Sequence, residues 1–144
     1  MRHGFIISLP RSGSTLLQRL MKFNFKTIIP AEPWILLPVI LARFEDSSRS
    51  VFGGKICAEA LEGFFGSNGH SYDSAIRAFY TESLRVYLNT EADAVFYDKT
   101  PRYNLIGEEL VRIFPSAEYL ILWRRPVDVM LSMARTWQKN RPGL

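Results

Sequence analysis

The 144-residue chain holds a single cysteine, Cys57. One thiol can neither close an internal disulfide nor build a cysteine-based zinc site. Its scarcity fits a reducing compartment. Histidine is nearly as scarce: His3 and His70 stand far apart in the sequence, so no metal centre is expected. Long apolar runs are missing too. The longest, residues 34–42, contains Pro38 and falls well short of the roughly 20 residues that a membrane-crossing helix needs. The apolar run near the start is too short for a secretory signal, and Pro10 and Arg11 interrupt it. These absences predict a cytoplasmic protein without a membrane partner. Glycine and proline number only 9 and 8, which excludes collagen-like and low-complexity sequence. No run of Lys or Arg exceeds two residues, and no nucleic-acid reader motif is present, so no nucleic-acid partner is expected.

What is there describes an ordinary globular chain. Hydrophobic residues make up 47% and charged residues 22%, with a net charge of +4, which is too apolar and too weakly charged for disorder. A chain of this length buries roughly two-thirds of its unfolded surface. Of the 18 basic residues, 13 are Arg. The planar guanidinium suits bidentate contact with phosphate or sulfate oxygens, which hints at an anionic ligand.

Along the chain, β-rich apolar segments alternate with helical spacing. Residues 4–9 (G-F-I-I-S-L) read as a buried strand, and residues 12–24 carry a helical stripe of Leu16, Leu17, Leu20, Met21 and Phe23. Residues 26–29 suggest a brief second strand. Pro33 is expected to open a helix over residues 33–41, kinked at Pro38. The Ser-, Gly- and Asn-rich residues 44–71 read as loop with short elements. Further helices are expected over 72–88, 103–114 and 126–137, and strands over 94–97 and 118–123, the last strongly buried. Such alternation predicts a parallel α/β sheet with right-handed crossovers, with the ligand at the carboxyl ends of the strands.

Two motifs fall at such ends. Residues 9–17 (L-P-R-S-G-S-T-L-L) form a strand–loop–helix unit. Gly13 permits close backbone approach. The amides of Ser12, Gly13, Ser14 and Thr15 can face one anion at a helix N-terminus, with the Ser14 and Thr15 hydroxyls and the Arg11 charge beside them. A plain Ser/Gly helix cap with an exposed Arg is the other reading of the same residues. The Walker pattern G-x-x-x-x-G-K-[ST] is absent, which disfavours a nucleoside triphosphate with magnesium. Residues 122–132 (L-W-R-R-P-V-D-V-M-L-S) again run from strand to helix, with Arg124 at the strand end and Ser132 two turns into the helix. Together they can grip one phosphate from two sides. Asp128 in the first turn complements the helix dipole.

The pair of motifs resembles the sulfotransferase family that uses 3'-phosphoadenosine 5'-phosphosulfate (PAPS), over almost the whole chain from Phe5 to about Trp137. The resemblance implies a P-loop-like three-layer α/β/α sandwich. It implies that the first loop binds the 5'-phosphosulfate, and that Arg124 and Ser132 bind the 3'-phosphate. Arg125 stands where the family often has Asn. The implied activity is transfer of a sulfuryl group to the hydroxyl or amine of a small-molecule, glycan or peptide acceptor, releasing adenosine 3',5'-bisphosphate without a metal. Residues 1–144 would then be one transferase domain, shorter than such domains usually are, and a C-terminal truncation is expected. Protein-tyrosine and several bacterial members place a catalytic Glu soon after the phosphosulfate-loop helix. Glu32, in P-A-E-P-W, matches that position, and a first-turn helix-dipole role is its alternative. Lys99, in Y-D-K-T-P, matches a strand-end Lys that contacts the sulfuryl region; a surface pair with Asp98 is its alternative. Cytosolic steroid and phenol sulfotransferases carry a basic His two residues later. Here Pro101 stands there, which shifts the base to Glu32. Arg11 would stabilise the leaving phosphate. Trp34, Phe64, Phe65 and Tyr103 could line an acceptor pocket, although core or loop-anchor roles suit each. Rival functions are a fragment that binds the donor or its bisphosphate product without turnover, and a P-loop-type small-molecule kinase.

Overall fold

A computed structural model describes residues 2–24, 27–44, 53–66, 70–88 and 95–139. Among the described residues four parallel strands form one sheet: β1 (Arg2–Ser8), β2 (Thr27–Ile28), β3 (Val95–Asp98) and β4 (Glu118–Leu122), in the spatial order β2-β3-β1-β4. Six helices accompany them among the described residues: α1 (Ser14–Asn24), α2 (Leu36–Leu41), α3 (Gly54–Phe65), α4 (His70–Leu88), α5 (Gly107–Ile113) and α6 (Pro126–Lys139). A 3-10 turn, Tyr103–Leu105, precedes α5.

The alternation of side chains along each strand sorts the core into two faces. Phe5 and Phe96 face a core shared with α2, α4 and α5, including Leu36, Ile76, Tyr80 and Leu110. Ile6, Val95 and Tyr97 face the other way, toward Met21 and Leu17 of α1. Helices on both faces of a parallel sheet give the expected α/β architecture. Asp73 of α4 pairs with Arg112 of α5 and, at 3.6 Å, with Arg43 just beyond α2, fastening the helical layer together.

One glycine is required by a close approach. Gly4 of β1 lies in register with Tyr97 of β3 on one side and Glu118 of β4 on the other. Tyr97 donates its hydroxyl to Glu118 Oε2, and a Cβ on Gly4 would stand 2.4 Å from the Tyr97 ring. Burial and the Glu118 carboxylate push this phenol up to about 12. Gly4→Ala is therefore expected to displace the ring and cost about 1–3 kcal/mol, the usual penalty of overpacking. Urea denaturation measures it, and an unchanged midpoint would contradict the close approach of the Tyr97 ring to Gly4.

Several boundaries differ from the sequence reading. Residues 44–71 contain a twelve-residue helix, α3, where loop is expected. Gly53 and Gly66, at φ 80° and 82°, flank it, and the good helix formers between them outweigh the punctuation that suggests a loop. Residues 45–52 and 67–69 of that stretch lie outside the described residues, as do Lys26 and Ala94 of the two strands. His70 opens α4 instead of sitting in a loop. Helix α2 begins at Leu36, three residues after Pro33, because Trp34 takes a left-handed backbone at φ 59°. Pro38 is its third residue, where an amide has no intrahelical acceptor, so no kinking loss of a bond occurs there. The expected helix over 103–114 divides at Ile106 into the 3-10 turn and α5. Among the described residues β4 is an edge strand with Ile121 76% exposed, not the strongly buried strand its apolar run suggests.

Candidate active site at the carboxyl ends of the strands

The β1–α1 connection turns tightly. Ser12 donates its amide to the Leu9 carbonyl at 3.2 Å and is buried, so this amide closes the turn and is not offered to a ligand. The first helical bonds run from Leu16 and Leu17 to Gly13 at 3.0 and 3.1 Å. The amides of Gly13, Ser14 and Thr15 thus come before the helical ladder, and of the four amides expected to face an anion these three remain. Gly13 sits at φ 98° with nothing within 4 Å of where a Cβ would be, so it is the conformation that requires glycine there. Arg11 takes φ 69°, a left-handed conformation that costs a non-glycine residue roughly 1–2 kcal/mol.

Arg11 is where the two motifs meet. Its Nε donates to Ser132 Oγ of α6 at 3.2 Å, and its carbonyl accepts from Arg124 at 3.0 Å. Residues 113 and 121 positions apart are joined at one point. Arg124 comes two residues after β4, and Pro126 opens α6 there, so the Arg and the Ser lie on the two arms of one strand-to-helix turn. Arg125 is exposed and pairs with Asp128 at 2.9 Å, which satisfies the first-turn acid locally.

A second cluster joins the ends of β2 and β3. The Lys99 ammonium, 3% exposed as a residue, pairs with Glu32 Oε1, while the Trp34 indole Nε1 donates to Glu32 Oε2 at 3.2 Å. Lys99 is thus not a surface residue, and its ion pair is with Glu32 and not with Asp98. Asp98, the last residue of β3, turns into the core. There it accepts from Tyr80 at 3.0 Å, Tyr103 at 2.6 Å and Thr100 at 2.9 Å. Burial pushes the Asp98 carboxyl up from its ordinary range, against the opposing pull of these three hydroxyls and Lys99. Burial and the same carboxylate push the Tyr80 and Tyr103 phenols up.

In the sheet order β2-β3-β1-β4, the chain leaving each strand thus carries Glu32, Lys99, Arg11 and Arg124 in one row. Of the aromatic pocket candidates, Tyr103 is core at 0% exposure, Phe65 packs on Tyr72, and Phe64 is exposed. Trp34 alone touches the row, through Glu32. The flanking Pro30, Pro33 and Ile35 close an apolar cavity of about 350 Å³ against Leu84 and Tyr87 of α4. Among the described residues no three His, Cys, Asp or Glu side chains group as a metal site, and no helix is long and apolar enough to cross a membrane. Sequence reasoning missed Thr100 and the core role of Asp98. The signal was the D-K-T-P run itself, in which a polar residue on each side of Lys99 alternates away from it.

A model of the sulfotransferase family matches residues 5–144. The chain is also 30% identical over 133 residues to the nodulation protein NoeE of Sinorhizobium fredii, an alignment covering 92% of this chain and 31% of that protein. The chain therefore spans about a third of the length of this curated relative.

Proposed function

The chain belongs to the sulfotransferase family, and from that premise we propose that it transfers a sulfuryl group from PAPS to the hydroxyl or amine of an acceptor. The observation that supports this reading is the junction of Arg11, Arg124 and Ser132, which brings residues of two distant motifs together at one point. The residues fit the donor's two anionic ends. The open cradle of Gly13, Ser14 and Thr15, with Arg11, suits the 5'-phosphosulfate, and Arg124 with Ser132 suits the 3'-phosphate. The donor supplies an activated sulfuryl group on a phosphate leaving group. Glu32 takes the acceptor's proton, and Arg11 with the loop amides offsets charge on the leaving phosphate. An ammonium has three donors, so the Glu32 pair does not exhaust Lys99, which steadies the transferring group. As in phosphoryl transfer, positioning and charge account for most of the acceleration.

Calorimetric titration with adenosine 3',5'-bisphosphate, beside a transfer assay with labelled donor over several acceptor classes, tests this. Binding and transfer support the reading. Binding without transfer selects a donor-holding module, and magnesium-dependent transfer from the γ-phosphate of ATP selects a kinase. Arg124→Ala is expected to weaken donor binding by about 1.5–3 kcal/mol, the loss of a charged hydrogen bond. Equal affinity of the intact protein for donor analogues with and without the 3'-phosphate would remove Arg124 from that role.

A further inference from the structure

Glu32 lies in a stiff segment with an anchor at either end. Pro30 and Pro33 fix two of its backbone angles, and the Pro33 ring disfavours a helical backbone at Glu32. Upstream, Gln18 Nε2 of α1 donates to the Pro30 carbonyl at 3.2 Å. Downstream, the Trp34 amide donates to Thr100 Oγ1 at 3.2 Å, across 66 residues. Trp34 has its left-handed φ of 59° at this anchor. A bulky residue holds such a backbone only where its surroundings impose it, and such sites cluster where function needs a fixed geometry. Thr100 is itself fixed: it is 1% exposed and donates to Asp98 Oδ1 at 2.9 Å, so its oxygen is left to accept the Trp34 amide. The indole of the residue so oriented then reaches Glu32 Oε2, while Lys99, next to Thr100 in the chain, takes Oε1.

We infer that Thr100, backed by the buried Asp98, is a positioning residue that aims Glu32 through the backbone of Trp34. The inference rests on the proposed role of Glu32 as the base. The Thr100 hydroxyl thereby couples the end of β3 to Glu32 Oε2 through Trp34, while Lys99, its neighbour in the chain, holds Oε1 directly. A helix cap or a surface ion pair would need neither the left-handed backbone nor the buried threonine.

Thr100→Val removes the hydroxyl and keeps the shape, while Thr100→Ser restores it. The ¹H–¹⁵N resonance of the Trp34 indole, assigned with Trp34→Phe, reports the Glu32 contact without any turnover. Glu32→Gln is expected to move that resonance in the wild-type and Thr100→Ser backgrounds but not in Thr100→Val. An equal response in Thr100→Val overturns the inference. Thr100→Val is also expected to lower kcat by about 10- to 100-fold with donor KM unchanged, as for a misplaced reacting group, and Thr100→Ser to stay within about threefold of wild type. Wild-type kcat in Thr100→Val would overturn the role as well. If Thr100→Val does not fold, Trp34→Phe removes the indole donor, at a residue 44% exposed, and leaves the backbone amide in place. A roughly threefold fall in kcat is expected there, and an unchanged kcat overturns the inference. If the resonances respond as expected while the wild type transfers nothing to any acceptor, the positioning stands and the sulfuryl-transfer reading falls.

Discussion

Glu32→Gln is expected to lower turnover at saturating acceptor by about 10²- to 10⁴-fold, the usual contribution of a positioned general base. Glutamine keeps the shape of the side chain and one oxygen to accept from Lys99 or Trp34, but it cannot take a proton. The affinity for adenosine 3',5'-bisphosphate is expected to stay nearly unchanged, because Arg11, Arg124 and Ser132 bond one another on the β1 and β4 side of the row, whereas Glu32 bonds Lys99 and Trp34 at the ends of β2 and β3. That separation gives the prediction two independent readouts: turnover by transfer assay, and product affinity by calorimetry. A variant with wild-type turnover would take Glu32 out of the chemistry. A variant that lost bisphosphate affinity in step with turnover would show that the ion pair serves the donor site and not proton removal. Lys99 is 3% exposed and loses its opposite charge in this variant, so both assays belong at temperatures well below its unfolding midpoint.

The features legible in the sequence are those whose cause is local. The loop of Arg11 to Thr15 and the turn of Arg124 to Pro126 are each written in a few adjacent residues, and both lie where alternating strands and helices put them. Distant partners decide the features that were not legible. The start of α2 moves from Pro33 to Leu36 because Thr100, 66 residues on, holds the Trp34 amide. The edge position of β4 depends on strand order, which a run such as E-Y-L-I-L does not encode. The reading of Lys99 beside Asp98 failed because distant residues claim each of them: Asp98 bonds Tyr80 and Tyr103 in the core, and Lys99 bonds Glu32. The two-residue period of β1 puts Phe5 and Ile6 in different cores.

Asp98→Ala is expected to be the most destabilising single change at the site, about 3–5 kcal/mol. The substitution removes one acceptor and strands three donors, the hydroxyls of Tyr80, Tyr103 and Thr100, in a place with 0% exposure. Each buried unpaired donor costs about 1–3 kcal/mol. Against a typical total of about 5–15 kcal/mol, the variant would be marginal. Asp98→Asn, which resembles the neutral acid, isolates the part due to charge. Burial raises the folded-state value of Asp98 above its ordinary 3.8, so between the two values the native state holds more protons than the unfolded chain. The stability contributed by Asp98 is then fully present below 3.8 and lost as pH rises through the raised value. The wild type should therefore gain on Asp98→Asn as pH falls, measured by urea unfolding of both proteins at matched pH. A gap that widens as pH rises would mean that the three hydroxyls and Lys99 outweigh burial, and would reverse the assignment. Because Asp98 also holds Thr100, its loss lowers stability and turnover together, whereas Thr100→Val removes a single hydroxyl and should lower turnover more than stability. The two variants thus separate what the carboxylate contributes to the fold from what it contributes to aiming Glu32.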